Sequence, residues 1–359
     1  MQNENSWTLY SNNHHAWQAI LSDCQNAQKS IYIEQFIFTN DEFGKKLISI
    51  CKERAKNGVE VKFLWDAAGS FTLWGTELVD ELKKNNVQLL FWKTLIPGYF
   101  KIPKLRFWFF RNHRRSIIID NNIGYTGSIC ISDYFKNWRD TNVRIIGPVV
   151  DHMTRAFLQM WARAQNKRPE RQKKQSRYNE FRYLTNYPAP GRRRIYSELL
   201  RAMRNAREHI YITVPYFVPT HRLLRTIKGA LKRGVDVQII LPEKSDHYLV
   251  DLGAQSYFST LLKAGAKIYL YSGNIIHSKA ITIDGTWSTV GSMNLDSVSL
   301  LYNFESNIVT TNNSFANTIK QHFLEDLHET RQVIMDEWKK RSFTNKIMTF
   351  FVHFIKKVL

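Results

Sequence analysis

The sequence predicts an α/β protein built from two related units, each a mixed β-sheet flanked by α-helices. The first observation is an internal repeat, because the pattern of residues 26–33 recurs at 205–212 and that of residues 56–61 recurs at 232–237. The second is that runs of β-branched and aromatic residues alternate with helical patterns in both copies. Strands that alternate with helices form sheets covered by helices. With 359 residues, 43% of them hydrophobic, the chain has enough apolar material for two cores.

The elements follow the same order in the two copies. A helical pattern precedes the apolar run 31–38, and a second helix ends near Gly58 before the run 59–65. In the other copy, the runs 210–217 and 235–241 follow helical patterns in the same way. We therefore expect helix, strand, helix, strand in each half.

A cluster of polar residues has the same spacing in both halves. The second half contains His277, Lys279, Asp284, Ser292 and Asn294, in the pattern H-x-K-x4-D-x6-G-S-x-N. The first half repeats this spacing, with arginine in place of lysine and cysteine in place of asparagine: His113, Arg115, Asp120, Ser128 and Cys130. A spacing of this length that occurs twice predicts one shared site.

The chemistry of these residue types suits attack on a phosphodiester. Residues two apart in a strand share a face, so each histidine lies beside a cation. A neutral imidazole is a nucleophile or a general acid and base, and the cation neutralises phosphate oxygens without a metal. Asp140 lies 27 residues after His113, and Glu305 lies 28 after His277, so we expect each carboxylate to orient the histidine of its own half. Asp120 and Asp284 are either catalytic or structural, and spacing does not decide which histidine attacks.

These motifs resemble the phospholipase D superfamily, whose members carry two HKD motifs about a pseudo-twofold axis. The resemblance covers roughly residues 8–330. The flanking residues are most similar to bacterial cardiolipin synthases, in the short B-type form without transmembrane helices, since no uncharged apolar run approaches the roughly 20 residues that span a bilayer. The flanks that carry this likeness are 33–37, 112–114, 287–296 and 303–305.

The resemblance implies two phospholipase D-like domains and a phosphatidyltransferase that needs no cofactor. It makes cardiolipin from phosphatidylglycerol and a second phospholipid, with a phosphatidyl-histidine intermediate on His113 and with His277 as acid and then base. The implied catalytic residues are His113, Arg115, Asp120, His277, Lys279 and Asp284. The implied supporting or phosphate-binding residues are Ser128, Asp140, Ser292, Asn294 and Glu305. Arg115 and Cys130 depart from the family pattern, so a lipid-binding scaffold with a degenerate first motif is an alternative.

The net charge of +20 favours an anionic partner. Three segments, 93–115, 163–194 and 339–357, carry +7, +9 and +6, so the rest of the chain is close to neutral. The first segment mixes cations with aromatic rings, and residues 343–358 form an amphipathic helical pattern, which is typical of contact with an anionic phospholipid membrane. The predicted membrane contacts are Phe107, Trp108, Phe110, Phe350, Phe351 and Phe354.

The expected organisation is a first half (1–165), a basic linker (166–194), a second half (195–335) and an amphipathic membrane-association helix (336–359). Three cysteines without metal-ligand spacing indicate a reducing compartment, so we expect a cytoplasmic protein, peripheral on the inner face of the cell membrane. A phospholipase D-type hydrolase, or a nuclease acting on nucleic acid, is the alternative activity. The aromatic terminus argues against nucleic acid as the partner.

Overall fold

The computed structural model describes residues 5–93, 110–170, 175–342 and 348, and these residues form two β-sheets. In spatial order, the first sheet contains β1 (Ser6–Asn12), β7 (Arg139–Ile146), β6 (Ile123–Gly127), β5 (Ser116–Ile119), β2 (Ser30–Gln35), β3 (Glu60–Asp66) and β4 (Val87–Trp92). The second contains β15 (Thr330–Gln332), β11 (Lys267–Tyr271), β10 (Asp236–Pro242), β9 (His209–Thr213), β12 (Ala280–Ile283), β13 (Trp287–Gly291), β14 (Glu305–Thr310) and β8 (Phe181–Asn186).

Helices cover both sheets. They are α1 (Asn13–Gln25), α2 (Glu42–Lys56), α3 (Glu77–Lys84), α4 (Val149–Ala164), α5 (Arg194–Asn205), α6 (His221–Lys232), α7 (Tyr248–Gln255), α8 (Phe258–Lys263), α9 (Ser297–Leu301), α10 (Asn313–Leu327) and α11 (Met335–Lys339). Side-chain caps begin several of them, since Asn12, Asp41 and Thr220 accept hydrogen bonds from first-turn N–H groups of α1, α2 and α6. In the described part of the chain, no helix has the length and apolar character needed to cross a bilayer.

Each sheet joins a parallel part to an antiparallel part at one central strand. In the first, β2 is parallel to β3, which is parallel to β4, and β2 is antiparallel to β5. The strands β9, β10, β11 and β12 repeat this arrangement in the second sheet. All six residues of β2 are buried, as expected for a strand with both faces covered. We call the edge at which β2–β4 and β9–β11 end the carboxyl edge of each sheet. The predicted fold class, two mixed sheets flanked by helices, is confirmed.

The two halves share a hydrophobic core. Ile118 and Val143 of the first sheet belong to the same buried cluster as Ala280, Val290 and Ile308 of the second. Helix α4 adds Phe157 and Met160 to this cluster. The antiparallel parts of the two sheets therefore face each other, and the carboxyl edges meet beside their contact.

The basic segment between the halves is partly a β-strand. The expected linker 166–194 contains β8, the edge strand of the second sheet, which pairs with β14 along its length. Its sequence, FRYLTN, lies within a basic stretch that obscures the strand pattern, so the linker prediction was wrong over these residues. The aromatic insertion 94–109 and nearly all of the amphipathic segment 343–359 lie outside the described residues.

Candidate active site

Both motif histidines lie where the carboxyl edges meet, and each is bonded to the backbone of the other half. The backbone N–H of His113 donates to the Phe304 carbonyl at 3.0 Å, and the Phe304 N–H donates to the Arg111 carbonyl at 2.9 Å. Correspondingly, the His277 N–H donates to the Arg139 carbonyl at 2.8 Å. These backbone bonds fix the two histidines in one cluster at the junction of the halves.

The imidazole of His113 is held through both ring nitrogens. Nδ1 lies 3.0 Å from each carboxylate oxygen of Glu305. Glu305 is itself held by the hydroxyls of Ser292 and Ser299, which donate to Oε2 and Oε1 at 2.5 and 2.7 Å. On the other side of the ring, Nε2 lies 2.9 Å from Nη2 of Arg115, as the motif spacing predicts.

The imidazole of His277 has a looser arrangement. Its Nδ1 lies 3.6 Å from Oδ2 of Asp140, just beyond hydrogen-bonding distance. Its Nε2 lies 3.0 Å from Nζ of Lys279, and this ammonium also donates to the His277 carbonyl at 2.9 Å. The two histidines therefore differ in how firmly a carboxylate holds them.

The expected pairing of each histidine with the carboxylate of its own half is wrong. Glu305 contacts His113 and Asp140 contacts His277, so both pairs cross between the halves. The physical reason is the pair of short parallel bridges Asn112↔Phe304 and Arg139↔Ile276. The first bridge places His113 beside Glu305 at the start of β14, and the second places His277 beside Asp140 near the start of β7.

Burial and positive charge set the protonation states of the cluster. Burial, together with Arg115 and Lys279, holds the pKa of His113 well below its usual range. Burial and the charge of Lys279 lower the pKa of His277 to about 3. Burial and Arg115 lower the pKa of Lys279 to about 7. Burial raises the pKa of Glu305, while the hydrogen bonds from Ser292 and Ser299 and the two cations favour its ionised form. At neutral pH both imidazoles are therefore uncharged bases beside cations.

The glycine-serine turns contribute differently in the two halves. The Ser292 hydroxyl supports Glu305, whereas the Ser128 carbonyl accepts from Arg115 Nη1 at 2.7 Å. The hydroxyl of Ser128 and Oδ1 of Asn294 are buried without a hydrogen-bond partner among the described residues. Cys130 is buried, and its thiol points toward the Ser128 carbonyl at 3.8 Å. The Ser128 hydroxyl can therefore donate to a phosphate oxygen, whereas Oδ1 of Asn294 can only accept a hydrogen bond.

The carboxyl groups of Asp120 and Asp284 do not reach the histidines, which corrects their expected place among the catalytic residues. Asp120 accepts the backbone N–H groups of residues 28–30. Asp284 accepts those of residues 207–209. Both have positive φ, 55° and 54°, in the turns after β5 and β12. They anchor the start of β2 and β9, at the end of the sheet opposite to the histidines.

Replacing Asp284 by asparagine is therefore expected to reduce stability rather than chemistry. Asparagine tolerates the positive φ but loses charge-assisted hydrogen bonds, so the free energy of unfolding should fall by about 1–3 kcal/mol. Because the three N–H groups lower the pKa of Asp284, the difference from wild type should shrink at acid pH as the wild-type carboxyl is protonated. Denaturant unfolding at pH 7 and at about pH 2.5, below the ordinary pKa of an aspartate, together with the rate per folded molecule, measures both effects. A rate loss of about 100-fold at unchanged stability would restore a catalytic role.

Aromatic side chains that the motifs did not identify form the walls of the site. The ring of Phe36 contacts His113 with centroids 4.9 Å apart. Trp138 and Tyr216 contact His277 at 5.3 and 6.4 Å. Phe36 follows β2 directly and Tyr216 is the third residue after β9, so their positions at the carboxyl edge were the available sequence signal.

Of the predicted membrane contacts, only Phe110 lies among the described residues. It has a φ of 66° and is partly buried, with its ring 6.3 Å from that of Tyr302. The ammonium of Lys93 lies 4.9 Å from its centroid. Phe110 therefore packs against protein on at least one side. Phe107, Trp108, Phe350, Phe351 and Phe354 lie outside the described residues.

Comparison with known proteins gives consistent results in sequence and in structure. A family model described as cardiolipin synthase, PLD-like domain, matches residues 20–161 and 199–327. A cardiolipin synthase of Clostridium perfringens is 32% identical over 361 residues, which cover 96% of this chain and 75% of that protein. A probable cardiolipin synthase of Bacillus subtilis is 31% identical, with 98% and 72% covered. The fold resembles that of phosphatidylserine synthase from Haemophilus influenzae, with a TM-score of 0.77 at 13% identity, covering 98% of this chain and 95% of that one.

Proposed function

Because the chain belongs to the family of cardiolipin synthases with a phospholipase D-like domain, we propose that it is a phosphatidyltransferase that makes cardiolipin. Its substrates are phosphatidylglycerol and a second phospholipid. The observation that carries the proposal is the buried cluster in which two neutral imidazoles each lie about 3 Å from a cation, 2.9 Å for His113 and 3.0 Å for His277. Such a cluster supplies a nucleophile, an acid and phosphate-binding charge at once.

In the first step, Nε2 of His113 attacks the phosphorus of phosphatidylglycerol. A phosphorus–nitrogen bond forms, the bond from phosphorus to the glycerol oxygen breaks, and the protonated His277 gives its proton to that oxygen. His277 becomes competent as an acid when substrate binds, because the phosphodiester anion offsets the charges of Lys279 and Arg115 that depress its pKa. Arg115 and Lys279 neutralise the phosphate oxygens.

In the second step, His277 removes a proton from a hydroxyl of the acceptor lipid. The acceptor oxygen then attacks phosphorus, the bond to His113 breaks, and the enzyme returns to its starting state. Water as acceptor would give phosphatidic acid instead, which is the hydrolase outcome. The two steps use the same cluster, with His277 as the acid in the first step and as the base in the second.

The close contact between the Glu305 carboxylate and His113 supports His113 as the nucleophile. Both carboxylate oxygens lie 3.0 Å from Nδ1, so the proton stays on Nδ1 and the lone pair of Nε2 points into the site. When His113 bonds to phosphorus its ring becomes positively charged, which favours the ionised form of Glu305, and this carboxylate accepts the Nδ1 proton in a hydrogen bond. His277, 3.6 Å from its carboxylate, has the freedom that proton transfer to two different oxygens needs.

The direct test is the product of the purified protein. Vesicles containing radiolabelled phosphatidylglycerol should yield cardiolipin and glycerol, identified by mass spectrometry of the lipid extract. In mixed vesicles that also contain phosphatidylethanolamine, release of ethanolamine would show that this lipid donates the phosphatidyl group to a hydroxyl of phosphatidylglycerol. Phosphatidic acid as the sole product would make the protein a hydrolase, and turnover of nucleic acid without lipid turnover would contradict the proposal.

The site should also show a pH-dependent affinity for anions. A non-cleavable phosphonate analogue of phosphatidylglycerol keeps one negative charge, and its affinity should fall above pH 7 by up to about tenfold per pH unit as Lys279 loses its proton.

Lys279→Arg tests this assignment, because an arginine side chain stays protonated and already occupies the matching position in the first half. In that variant the affinity should stay nearly constant between about pH 6 and pH 9. Isothermal titration calorimetry across this range measures the profile. A wild-type affinity that does not change between pH 6 and pH 9 would show that Lys279 keeps its charge throughout.

We also propose that the protein works at the surface of an anionic phospholipid membrane, on the cytoplasmic face. The charge carried by the segments 93–115, 163–194 and 339–357 supports this, as does the aromatic and amphipathic character of the first and third. The division into halves 1–165 and 195–335, with a membrane-association segment at 336–359, stays a prediction. Removal of the residues after Trp338 is expected to weaken sedimentation with anionic vesicles while the fold is retained.

A further inference from the structure

Large apolar side chains are exposed around the site, in loops that leave the carboxyl edge of both sheets. Phe71 and Trp74 follow β3 and are 62% and 37% exposed. Tyr248 and Leu249 follow β10, the matching strand of the second half, and are 60% and 51% exposed. Tyr134, in the loop after β6, is 66% exposed. We call these five residues the rim.

The rim is joined to His113 through the loop after β3. The hydroxyl of Ser70 accepts the N–H of Phe38 at 2.9 Å and donates to the Phe36 carbonyl at 3.1 Å. Phe36 contacts the ring of His113. Phe71 is therefore exposed next to Ser70, which is hydrogen-bonded to the backbone of Phe36 in the wall of the site.

The rim is joined to His277 by ring contacts from both halves. Tyr134 lies 5.3 Å from Trp138, and Trp138 lies 5.3 Å from His277. On the other side, Tyr216 contacts both His277 and His247, and His247 precedes Tyr248. Exposed apolar side chains thus surround the histidine pair on more than one side.

We propose that the rim inserts into the interfacial layer of a phospholipid bilayer and holds the site against the membrane, so that a lipid headgroup reaches the histidines without leaving the bilayer. Tyrosine, tryptophan and phenylalanine prefer the depth of the headgroups, where a ring is partly dry and a polar tip stays wet. Other large apolar residues of the described chain, such as Tyr178 and Ile334, are exposed singly and lie away from the carboxyl edges. The inference rests on the proposed lipid substrate but concerns binding, which is measured without turnover.

The positive charge that attracts an anionic headgroup lies inside the site, because the exposed charges at its mouth are of both signs. Lys136 is exposed two residues after Tyr134, and Lys244 is exposed before Tyr248 in a loop that also carries Glu243 and Asp246. Behind them lie Arg115 and Lys279, which face the position expected for phosphate. Apolar insertion and headgroup attraction therefore act on the same face.

The test compares two double variants that remove similar exposed area. Phe71→Ser with Tyr248→Ser takes one ring from each half of the rim, whereas Tyr178→Ser with Ile334→Ser removes residues that are 98% and 51% exposed elsewhere. Sedimentation with phosphatidylcholine vesicles containing phosphatidylglycerol measures binding, in low salt and in about 0.5 M NaCl. Activity is measured on the same vesicles and on dihexanoyl-phosphatidylglycerol below its micelle concentration.

The rim variant is expected to bind vesicles about tenfold more weakly or worse, and the loss should persist in high salt because apolar insertion is not screened. Its rate on vesicles should fall by a similar factor, while its rate on the monomeric lipid stays within about twofold of wild type. The control variant should keep both its vesicle binding and its rates within about twofold of wild type. Equal vesicle binding by wild type and the rim variant would overturn the proposal. So would a change from dimer to monomer in the rim variant at unchanged vesicle binding, which would make the rim a contact between two copies. If no lipid is turned over but vesicle binding depends on the rim, the proposed function fails and the rim proposal stands.

Discussion

His113→Ala and His277→Ala are each expected to lower the rate of cardiolipin formation by at least about 10³-fold, because one removes the nucleophile and the other the acid and base. Both side chains are buried and lie in the same cluster. His14→Ala is the control, since His14 is exposed on α1 and has no contact with the cluster. Thermal unfolding of each variant separates a loss of chemistry from a loss of fold.

A substrate with a good leaving group distinguishes the two roles. The p-nitrophenyl ester of a short-chain phosphatidic acid releases an anion that needs no proton, so its departure does not require His277. We expect His277→Ala to release about one equivalent of p-nitrophenol per enzyme in a rapid burst and then to stall as the phosphatidyl-enzyme. We expect His113→Ala to show no burst.

Mass spectrometry of the stalled His277→Ala protein should locate one phosphatidyl group on a peptide that contains His113. A burst in His113→Ala and none in His277→Ala would exchange the two roles and leave the two-step scheme intact. Wild-type turnover that persists in both variants would exclude histidine chemistry at this site.

The sequence predicted contacts between residues that are close together in the chain better than contacts between distant residues. The repeated spacing predicted the strands and the contact of His113 with Arg115 and of His277 with Lys279, because residues two apart share a face within a single segment. The roles of Asp120 and Asp284 were not predictable in this way. Their motif position is constant, yet strand β5 or β12 separates each from its histidine, so spacing alone did not show that they lie at the opposite end of the sheet.

The carboxylate partners were mispredicted for a different reason. Pairing within a half assumes that each half completes its own site, whereas the short bridges between Asn112 and Phe304 and between Arg139 and Ile276 join segments far apart in the sequence. Nothing in a local pattern specifies a contact of that kind. The site therefore requires both halves even though each carries a nearly complete motif, which argues against a first half that is merely structural.

The crossed pairing predicts opposite effects of Glu305→Gln and Asp140→Asn with the p-nitrophenyl substrate. Glu305 holds His113, so Glu305→Gln should slow the burst by about 10²-fold or more, as loss of the orienting carboxylate does in a catalytic triad. Asp140 faces His277, so Asp140→Asn should leave the burst within about threefold of wild type. The later turnover of Asp140→Asn should fall by about 10²-fold, because transfer to the acceptor requires His277 as a base.

Both substitutions keep the size of the side chain and remove a buried charge, so each variant controls for the other. Glu305→Gln also disturbs the hydrogen bonds from Ser292 and Ser299, and its thermal stability must therefore be compared with that of Ser299→Ala, which removes one of those bonds and leaves the carboxylate in place. If pairing within each half governed catalysis, the pattern would reverse, with Asp140→Asn losing the burst and Glu305→Gln keeping it. The rate of the burst thus reports which carboxylate serves which histidine, independently of the acceptor lipid.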